Sequence, residues 1–137
     1  MRRSANVIHA GFGWLLVIAI LVQVFLAGSA ILNLGGSGNF GDHVEFGYTW
    51  VGLAALAVLL SGIAARPGRD QIVLVTAVFI DYIVQTILPS LQATASGLAA
   101  LHPVNAMILF VLAVVVSWRA TARVMSAGAD VGQADQS

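Results

Sequence analysis

Four long apolar stretches, separated by short polar segments, dominate the hydrophobic pattern of this chain. They cover about residues 10–32, 43–65, 71–89 and 102–119. Each stretch approaches the length of about 20 residues with which an α-helix crosses a bilayer core of about 30 Å. Because backbone polar groups cannot stay unpaired in lipid, the pattern predicts an all-α, polytopic membrane four-helix bundle with up-down-up-down topology.

This bundle should occupy residues 1–124 and be embedded in a lipid bilayer. The segment 125–137 contains mainly Gly, Ala, Asp, Gln and Ser, so we expect it to be a disordered cytoplasmic tail. Two short segments predict how the helices are joined and begin. Arg66–Asp70 contains a Pro-Gly turn, which makes the second and third spans antiparallel neighbours. Asp42 is the expected N-cap of the second span, with Glu45 completing a variant of the capping box.

Composition supports the membrane class and removes several kinds of chemistry. Hydrophobic residues make up 59% of the chain and charged residues only 9%, too few for the charged surface of a small soluble domain. The chain has no Cys, which excludes disulfides, iron–sulfur clusters, c-type haem attachment and thiol catalysis. It also has no Lys, which excludes a Schiff base with retinal or pyridoxal phosphate. The net charge of zero gives no reason to expect nucleic acid as a partner.

The arginines predict the orientation of the bundle. All six lie on one side of the four-span topology: Arg2, Arg3, Arg66, Arg69, Arg119 and Arg123. Under the positive-inside rule this side is cytoplasmic, and so are both termini. The first apolar stretch is longer than the core of a signal peptide, and we expect it to be a retained span.

Two histidines carry the main functional prediction. His43 and His102 open the second and fourth spans, so they should lie at similar depth near the outer face. Two neutral imidazoles at matched depth in a helical bundle are suitable axial ligands for a b-type haem. Gly47 and Ala106, each four residues further on, could leave room for a flat macrocycle. The alternative is that both histidines are only helix caps or interfacial anchors, a role we also expect for His9 near the cytoplasmic side.

A weak internal repeat supports the same pairing. The segments Val22-Gln23-x-Phe25-Leu26 and Val84-Gln85-x-Ile87-Leu88 match loosely, and each is followed by a loop and then by one of the two histidines. Two hairpins related by an axis along the membrane normal would bring these histidines together across the bundle.

Longer segments carry a family resemblance. VQVFLAG at 22–28, His43-x-x-x-Gly47-Tyr48 and LHPVNA at 101–106 resemble a family of small bacterial four-span proteins of unknown function, over about residues 16–120. This implies a multi-pass protein of the bacterial inner membrane. More distantly, the layout is similar to one half of haem A synthase, whose histidine ligands also open the second and fourth helices. Val44 stands where the synthase motif has Arg, and only half of the enzyme's length is present. The resemblance therefore implies haem binding by His43 and His102, not haem A synthesis.

Asp81 is the most unusual residue within a span, because a carboxylate near mid-membrane costs a few kcal/mol unless it is protonated or paired. Gln85 lies one helical turn away, and Gln23 is at a similar depth in the first span. These three residues predict an intramembrane polar site. It is either a hydrogen-bond cluster that fixes helix packing or a proton- or quinone-linked site.

The residues leave four functions open, and they do not decide whether the protein is an enzyme. The first is a bis-histidine haem b protein with an electron-transfer, redox or haem-linked role. The second is a non-catalytic accessory subunit of a larger respiratory or photosynthetic membrane complex, or a homo-oligomer. The third is an outer-face zinc or copper site that adds Asp42 and Glu45 to the two histidines. A transporter has the least support, since four short spans leave little room for a gated path.

Overall fold

The computed structural model describes residues 2–65 and 68–134, which form an all-α bundle as the apolar pattern predicts. Its α-helices are α1 (Arg2–Ala30), α2 (Gly41–Phe46), α3 (Gly52–Ala64), α4 (Arg69–Ile87), α5 (Ser96–Ala99) and α6 (His102–Ala134). Three shorter elements join them: 3₁₀ turns at Leu32–Leu34 and Leu88–Leu91 and a π-helical turn at Gly47–Val51, between α2 and α3.

Within the described residues, four helical segments are long and apolar enough to cross a membrane: Arg3–Ala30, Gly41–Ala64, Arg69–Leu91 and Ser96–Ala127. The second consists of α2, the π turn and α3 in continuous succession. Each segment overlaps one of the predicted spans. The first begins several residues earlier than expected, and this shift places His9 well inside a helix.

One spacing of buried residues recurs on all four long segments. Buried positions follow one another at intervals of four, three and four residues: His9, Gly13, Leu16 and Ile20; Val51, Ala55, Val58 and Gly62; Gln71, Val75, Val78 and Tyr82; and Leu109, Ala113, Val116 and Ala120. This spacing averages about 3.7 residues, close to the 3.6 residues of one α-helical turn, so the buried positions form one stripe along each helix. The stripes therefore meet in one core, which is apolar in its middle.

The outer surface of the bundle is apolar too. Phe25, Val73 and Met107 are among the large apolar side chains that are more than half exposed. In water, so many exposed apolar groups would cause association, whereas hydrocarbon solvates them well. This surface matches the low charge content of the sequence.

The start of α2 differs from the prediction. The helix begins at Gly41, the residue in the N-cap position is Phe40, and no side chain caps it through a hydrogen bond. Asp42 therefore lies inside the first turn and is not the N-cap. Just before the helix, the side chain of Asn39 accepts a hydrogen bond from the backbone N–H of Gly41 at 2.8 Å. An Asx-type bond therefore stands before the helix in place of the expected capping box.

The end of α6 differs as well. The prediction of a disordered tail from residue 125 fails over Met125–Ala134, because α6 continues as a helix to Ala134. No Pro interrupts this segment, and Ala127, Ala129 and Ala134 have high helix propensity, so an existing helix can extend through it. Residues 135–137 lie outside the described part of the chain.

Candidate functional site

The structure brings His43 and His102 together at one end of the bundle. Their ring centroids are 6.2 Å apart, and the ring planes are nearly perpendicular at 81°. Both side chains are half-buried. His43 comes from the short helix α2, and His102 is the first residue of α6. The two residues are 59 positions apart in the chain, so the fold, and not local sequence, creates the pair.

Each ring is held by a glutamine on a neighbouring helix. His43 Nδ1 donates to the backbone carbonyl of Gln23 on α1, and His102 Nδ1 donates to the backbone carbonyl of Gln85 on α4, at 3.1 Å in both cases. A carbonyl can only accept, so the proton of each neutral ring must be on Nδ1. Both Nε2 atoms therefore carry a free lone pair. A histidine that binds a metal through one nitrogen commonly has its other nitrogen fixed in this way.

The same hydrogen bond from histidine to glutamine occurs in both copies of the weak sequence repeat. Gln23 and Gln85 occupy the same position in the two Val-Gln segments, and each binds the histidine that opens the next span. Gln23, assigned on sequence to the group around Asp81, instead belongs to the His43 half of the site. The two hairpins therefore build equivalent halves that face each other.

The side-chain amides of both glutamines also approach the histidines. Gln23 Nε2 lies 3.3 Å from His43 Nε2, and Gln85 Nε2 lies 3.4 Å from His102 Nε2. These distances are longer than those of a good N–H···N or N–H···O bond. The amide N–H groups therefore donate only weakly to the lone pairs on Nε2. Gln23 Nε2 makes a shorter bond of 2.8 Å to the backbone carbonyl of His43.

The two halves differ in what supports each glutamine. Asn105 Nδ2 donates to Gln85 Oε1 at 2.9 Å and to the backbone carbonyl of Asp81 at 3.3 Å. By contrast, Gln23 Oε1 is buried and has no hydrogen-bond partner among the described residues. Asn105 lies three residues after His102. The residue three positions after His43 is Phe46, which has no amide to offer.

Asp81 does not pair with Gln85 as the one-turn spacing allowed. The polar atoms of Gln85 turn instead towards α6, where they meet His102 and Asn105. Within residues 2–65 and 68–134, Asp81 Oδ2 is buried without a hydrogen-bond partner. Asp81 enters the network only through its backbone carbonyl. Contacts between helices have therefore replaced the predicted contact within α4, and Asn105 is a member that spacing along α4 could not reveal.

Gly47 and Ala106 occupy the expected positions one turn beyond the histidines, and both are half-buried. The space beside Gly47 has a specific occupant: a Cβ placed on this residue would come within 2.6 Å of Gln23 Nε2. The small size of Gly47 thus admits the Gln23 amide to the site, which differs from the predicted slot for a flat macrocycle. Contact of either residue with a cofactor stays a prediction.

The carboxylates expected for a zinc or copper site do not complete one. In the part of the chain that the structure describes, no three His, Cys, Asp or Glu side chains are close enough to hold a metal ion together. Asp42 and Glu45 are exposed on α2. The protein thus supplies two imidazoles at this end of the bundle, whereas zinc sites commonly have at least three protein ligands.

His9, predicted as an interfacial residue, is instead buried at the other end of the bundle, with 1% of its surface exposed. Its Nδ1 lies 3.0 Å from Ser61 Oγ, and Gln71 Nε2 lies 3.4 Å from its Nε2. The Ser61 hydroxyl donates to the Val58 carbonyl at 3.3 Å, so it accepts the Nδ1 proton. Gln71 also reaches the Val116 carbonyl at 3.5 Å. This group, the His9 cluster, joins all four long segments in the core.

One sequence signal could have located the His9 cluster. His9 is in register with the buried positions Gly13, Leu16 and Ile20 of α1, and Gln71 with Val75, Val78 and Tyr82 of α4. Polar residues at core positions of a helix within a bilayer are expected to find partners inside the protein. Comparison with known proteins adds no assignment: no family model, curated protein or solved structure matches the chain. The two resemblances drawn from its motifs therefore stay predictions.

Proposed function

We propose that this protein binds a b-type haem between His43 and His102 and serves an electron-transfer, redox or haem-linked role in a membrane. The observation that carries the proposal is the matched pair of Nδ1–carbonyl bonds, each 3.1 Å long. They fix two half-buried rings in the tautomer whose Nε2 can bind a metal. A metal–imidazole bond is about 2 Å long, so one ion between the rings needs about 4 Å between the two nitrogens. The 6.2 Å between ring centroids is compatible with that.

The number of protein ligands favours haem over a bare metal ion. Zinc or copper would need further side chains, and the described residues provide no group of three. A haem supplies four ligands from its own macrocycle and takes two axial ligands from the protein. Two facing imidazoles at the end of an apolar bundle meet that requirement. The described side chains thus fit the donor set of a bis-histidine haem.

The chain's own residues would hold and orient such a group. When bound, haem supplies a one-electron redox centre. The Gln23 and Gln85 carbonyls keep both rings in place, which limits reorganisation when charge changes at the site. When a metal is bound, the two glutamine amides would give up only their weak contacts with Nε2, and Gln23 would keep its 2.8 Å bond to the His43 carbonyl. The apolar surface around the four segments keeps the site within a lipid bilayer.

The orientation belongs to the same proposal. In the four-span topology read from the sequence, all six arginines fall on the side opposite to the two histidines, so the His43–His102 end should face outward from a bacterial inner membrane. We expect a reporter fused after Ser137 to be active only as a cytoplasmic reporter. An exported reporter would place the two histidines on the inner side.

An absorption spectrum tests haem binding directly. Protein purified in mild detergent from haem-replete cells should show a Soret band and, after reduction with dithionite, the sharp α and β bands of a low-spin six-coordinate haem. About one haem per chain is expected, because the chain has one facing pair of imidazoles. His43→Ala and His102→Ala should each remove the low-spin spectrum, since each removes one strong axial ligand.

Asp42→Asn is the matched control for these variants. Asp42 is exposed next to His43 and has no part in the hydrogen bonds that hold the ring, so the spectrum should not change. A colourless wild-type preparation that is still helical and monodisperse would overturn the haem proposal. The accessory-subunit hypothesis would then become the leading one, and the apolar outer surface of the bundle would be the surface to test for partners.

A further inference from the structure

We infer that the two histidines have different roles: His102 is the permanent ligand, and His43 is an exchangeable ligand that a small neutral molecule such as carbon monoxide can displace. This inference rests on the proposed haem site, and it assigns to that site a ligand class and a side of entry. It follows from three differences between halves that are otherwise equivalent.

The first difference is in the carbonyls that hold the rings. In a regular α-helix the carbonyl of residue i accepts from the N–H of residue i+4. Gln23 lies within α1, so its carbonyl also has the N–H of Ala27 as a helical partner. The residue four positions after Gln85 is Pro89, which has no N–H. The Gln85 carbonyl is therefore free to bind His102 Nδ1 alone, which makes it the better acceptor.

The second difference is the support behind each glutamine. Gln85 is fixed at its Oε1 by Asn105, which is itself bound to the Asp81 carbonyl on α4. These two hydrogen bonds of Asn105, the Asn105 bracket, connect α4 to α6 directly beside His102. Gln23 has no such bracket, and its buried Oε1 has no partner within the described residues. The position matching Asn105 holds Phe46, so the sequence itself makes the halves unequal.

The third difference is the backbone that carries each histidine. His102 begins α6, a continuous helix of 33 residues. His43 lies in the first turn of the continuous helical segment Gly41–Ala64, between a Gly-containing loop and the π turn at Gly47–Val51. π turns are uncommon and are frequent at functional sites. The loop and the π turn on either side can take up a movement of His43, whereas no π turn follows His102 in α6.

The exchange involves no oxidation or reduction. On a bound haem, His43 Nε2 would give up its place as ligand to carbon monoxide. Its lone pair would then be free again, with the ring proton still on Nδ1. Gln23 Nε2, which lies 3.3 Å from this nitrogen in the structure, can then donate to it. The entering ligand must be small, because the Gln23 amide already fills the space beside Gly47.

Carbon monoxide titration of the dithionite-reduced protein in detergent tests the inference. Wild type should bind carbon monoxide with loss of the sharp α and β bands of the bis-histidine form. His43→Ala should retain most of its haem and bind carbon monoxide about tenfold more tightly or better, because no internal ligand competes. His102→Ala should retain much less haem. Equal haem retention and equal affinity in the two variants, or the reverse order, would overturn the inference.

A pair of proline variants tests the cause. Pro89→Ala restores an N–H that competes for the Gln85 carbonyl, so haem transfer to an excess of apomyoglobin should become several-fold faster. Pro103→Ala is the matched control: it removes a proline next to His102 but gives no donor to that carbonyl. Equal transfer rates in both variants would contradict the role of Pro89.

Failure of this inference is distinguishable from failure of the proposed function. A wild-type protein without haem bands would contradict both the proposed function and the inference about His43. A wild-type protein with low-spin bands, but with no difference between His43→Ala and His102→Ala, leaves bis-histidine haem binding in place and removes only the exchange at His43.

Discussion

The two ends of this bundle both combine histidine with glutamine, yet they use them differently. At one end, His43 and His102 are half-buried, each is fixed through Nδ1, and each Nε2 is only weakly approached by an amide. At the other end, His9 is 1% exposed and has Ser61 on one ring nitrogen and Gln71 on the other. All three rings have the proton on Nδ1. Tautomer alone therefore does not mark a ligand site.

What separates the two ends is how deeply the rings are buried and the presence of a second imidazole. A Cβ added to Gly62 would come within 3.1 Å of His9 Cε1 and 2.9 Å of Val75 Cγ1, so the His9 cluster is closely packed. It has one imidazole, whereas the opposite end has two, with ring centroids 6.2 Å apart. The comparison indicates a structural role for His9, while a ligand role for the pair is the proposal.

The variant with the largest expected effect on folding is His9→Ala. It leaves a cavity in the core and removes the partners of Ser61 and Gln71. The combined loss should be about 3 kcal/mol in the free energy of unfolding. Thermal unfolding followed by circular dichroism in detergent measures it. The folded fraction should keep the low-spin haem spectrum, because His9 lies at the opposite end of the bundle.

Val7→Ala is the control for His9→Ala, because this neighbour on α1 is 49% exposed and should change stability little. An unchanged unfolding midpoint for His9→Ala would show that the His9 cluster does not stabilise the core. Loss of the low-spin bands from folded His9→Ala protein would contradict the separation of the two ends.

The sequence predicts the helices and the His43–His102 pair well, for a physical reason. Spanning a bilayer demands long apolar segments, so four helices and their antiparallel order follow from hydropathy alone. The Val-Gln repeat then locates the two glutamines that hold the rings. His9 was assigned to the interface because α1 begins at Arg2, earlier than its apolar stretch suggests. Its partners Ser61 and Gln71 lie on other helices, where spacing along α1 gives no information.

Short-range polar patterns were less reliable than hydropathy. Asp42 has the residue type and position of an N-cap, but α2 starts at Gly41, and Asn39 accepts the nearby N–H. Asp81 and Gln85 have the spacing of a bonded pair, yet Gln85 bonds across to α6. Each polar group had several partners at similar distance along the chain. Packing between the helices decides which partner is used, and the spacing of residues along one helix does not show this.

Asp81→Asn is the variant with the smallest expected effect on stability. It tests which atoms of Asp81 support the His102 half of the site. Its contribution to the Asn105 bracket is a backbone carbonyl, which every side chain at this position provides. Its buried Oδ2 has no partner among the described residues, so no hydrogen bond of that atom is there to lose. We expect Asp81→Asn to change the free energy of unfolding by less than about 1 kcal/mol and to leave haem content unchanged.

Asn105→Leu should lower the free energy of unfolding and the haem content more than Asp81→Asn does. It removes both hydrogen bonds of Asn105 and leaves Gln85 Oε1 without this partner. Thermal unfolding and haem content of the two variants, measured side by side, decide the point. If Asp81→Asn fails to assemble while Asn105→Leu assembles normally, the carboxylate has a charged partner, and that partner must come from another subunit. If Asp81→Asn assembles normally but loses a pH-dependent redox response, the carboxyl handles protons beside the haem.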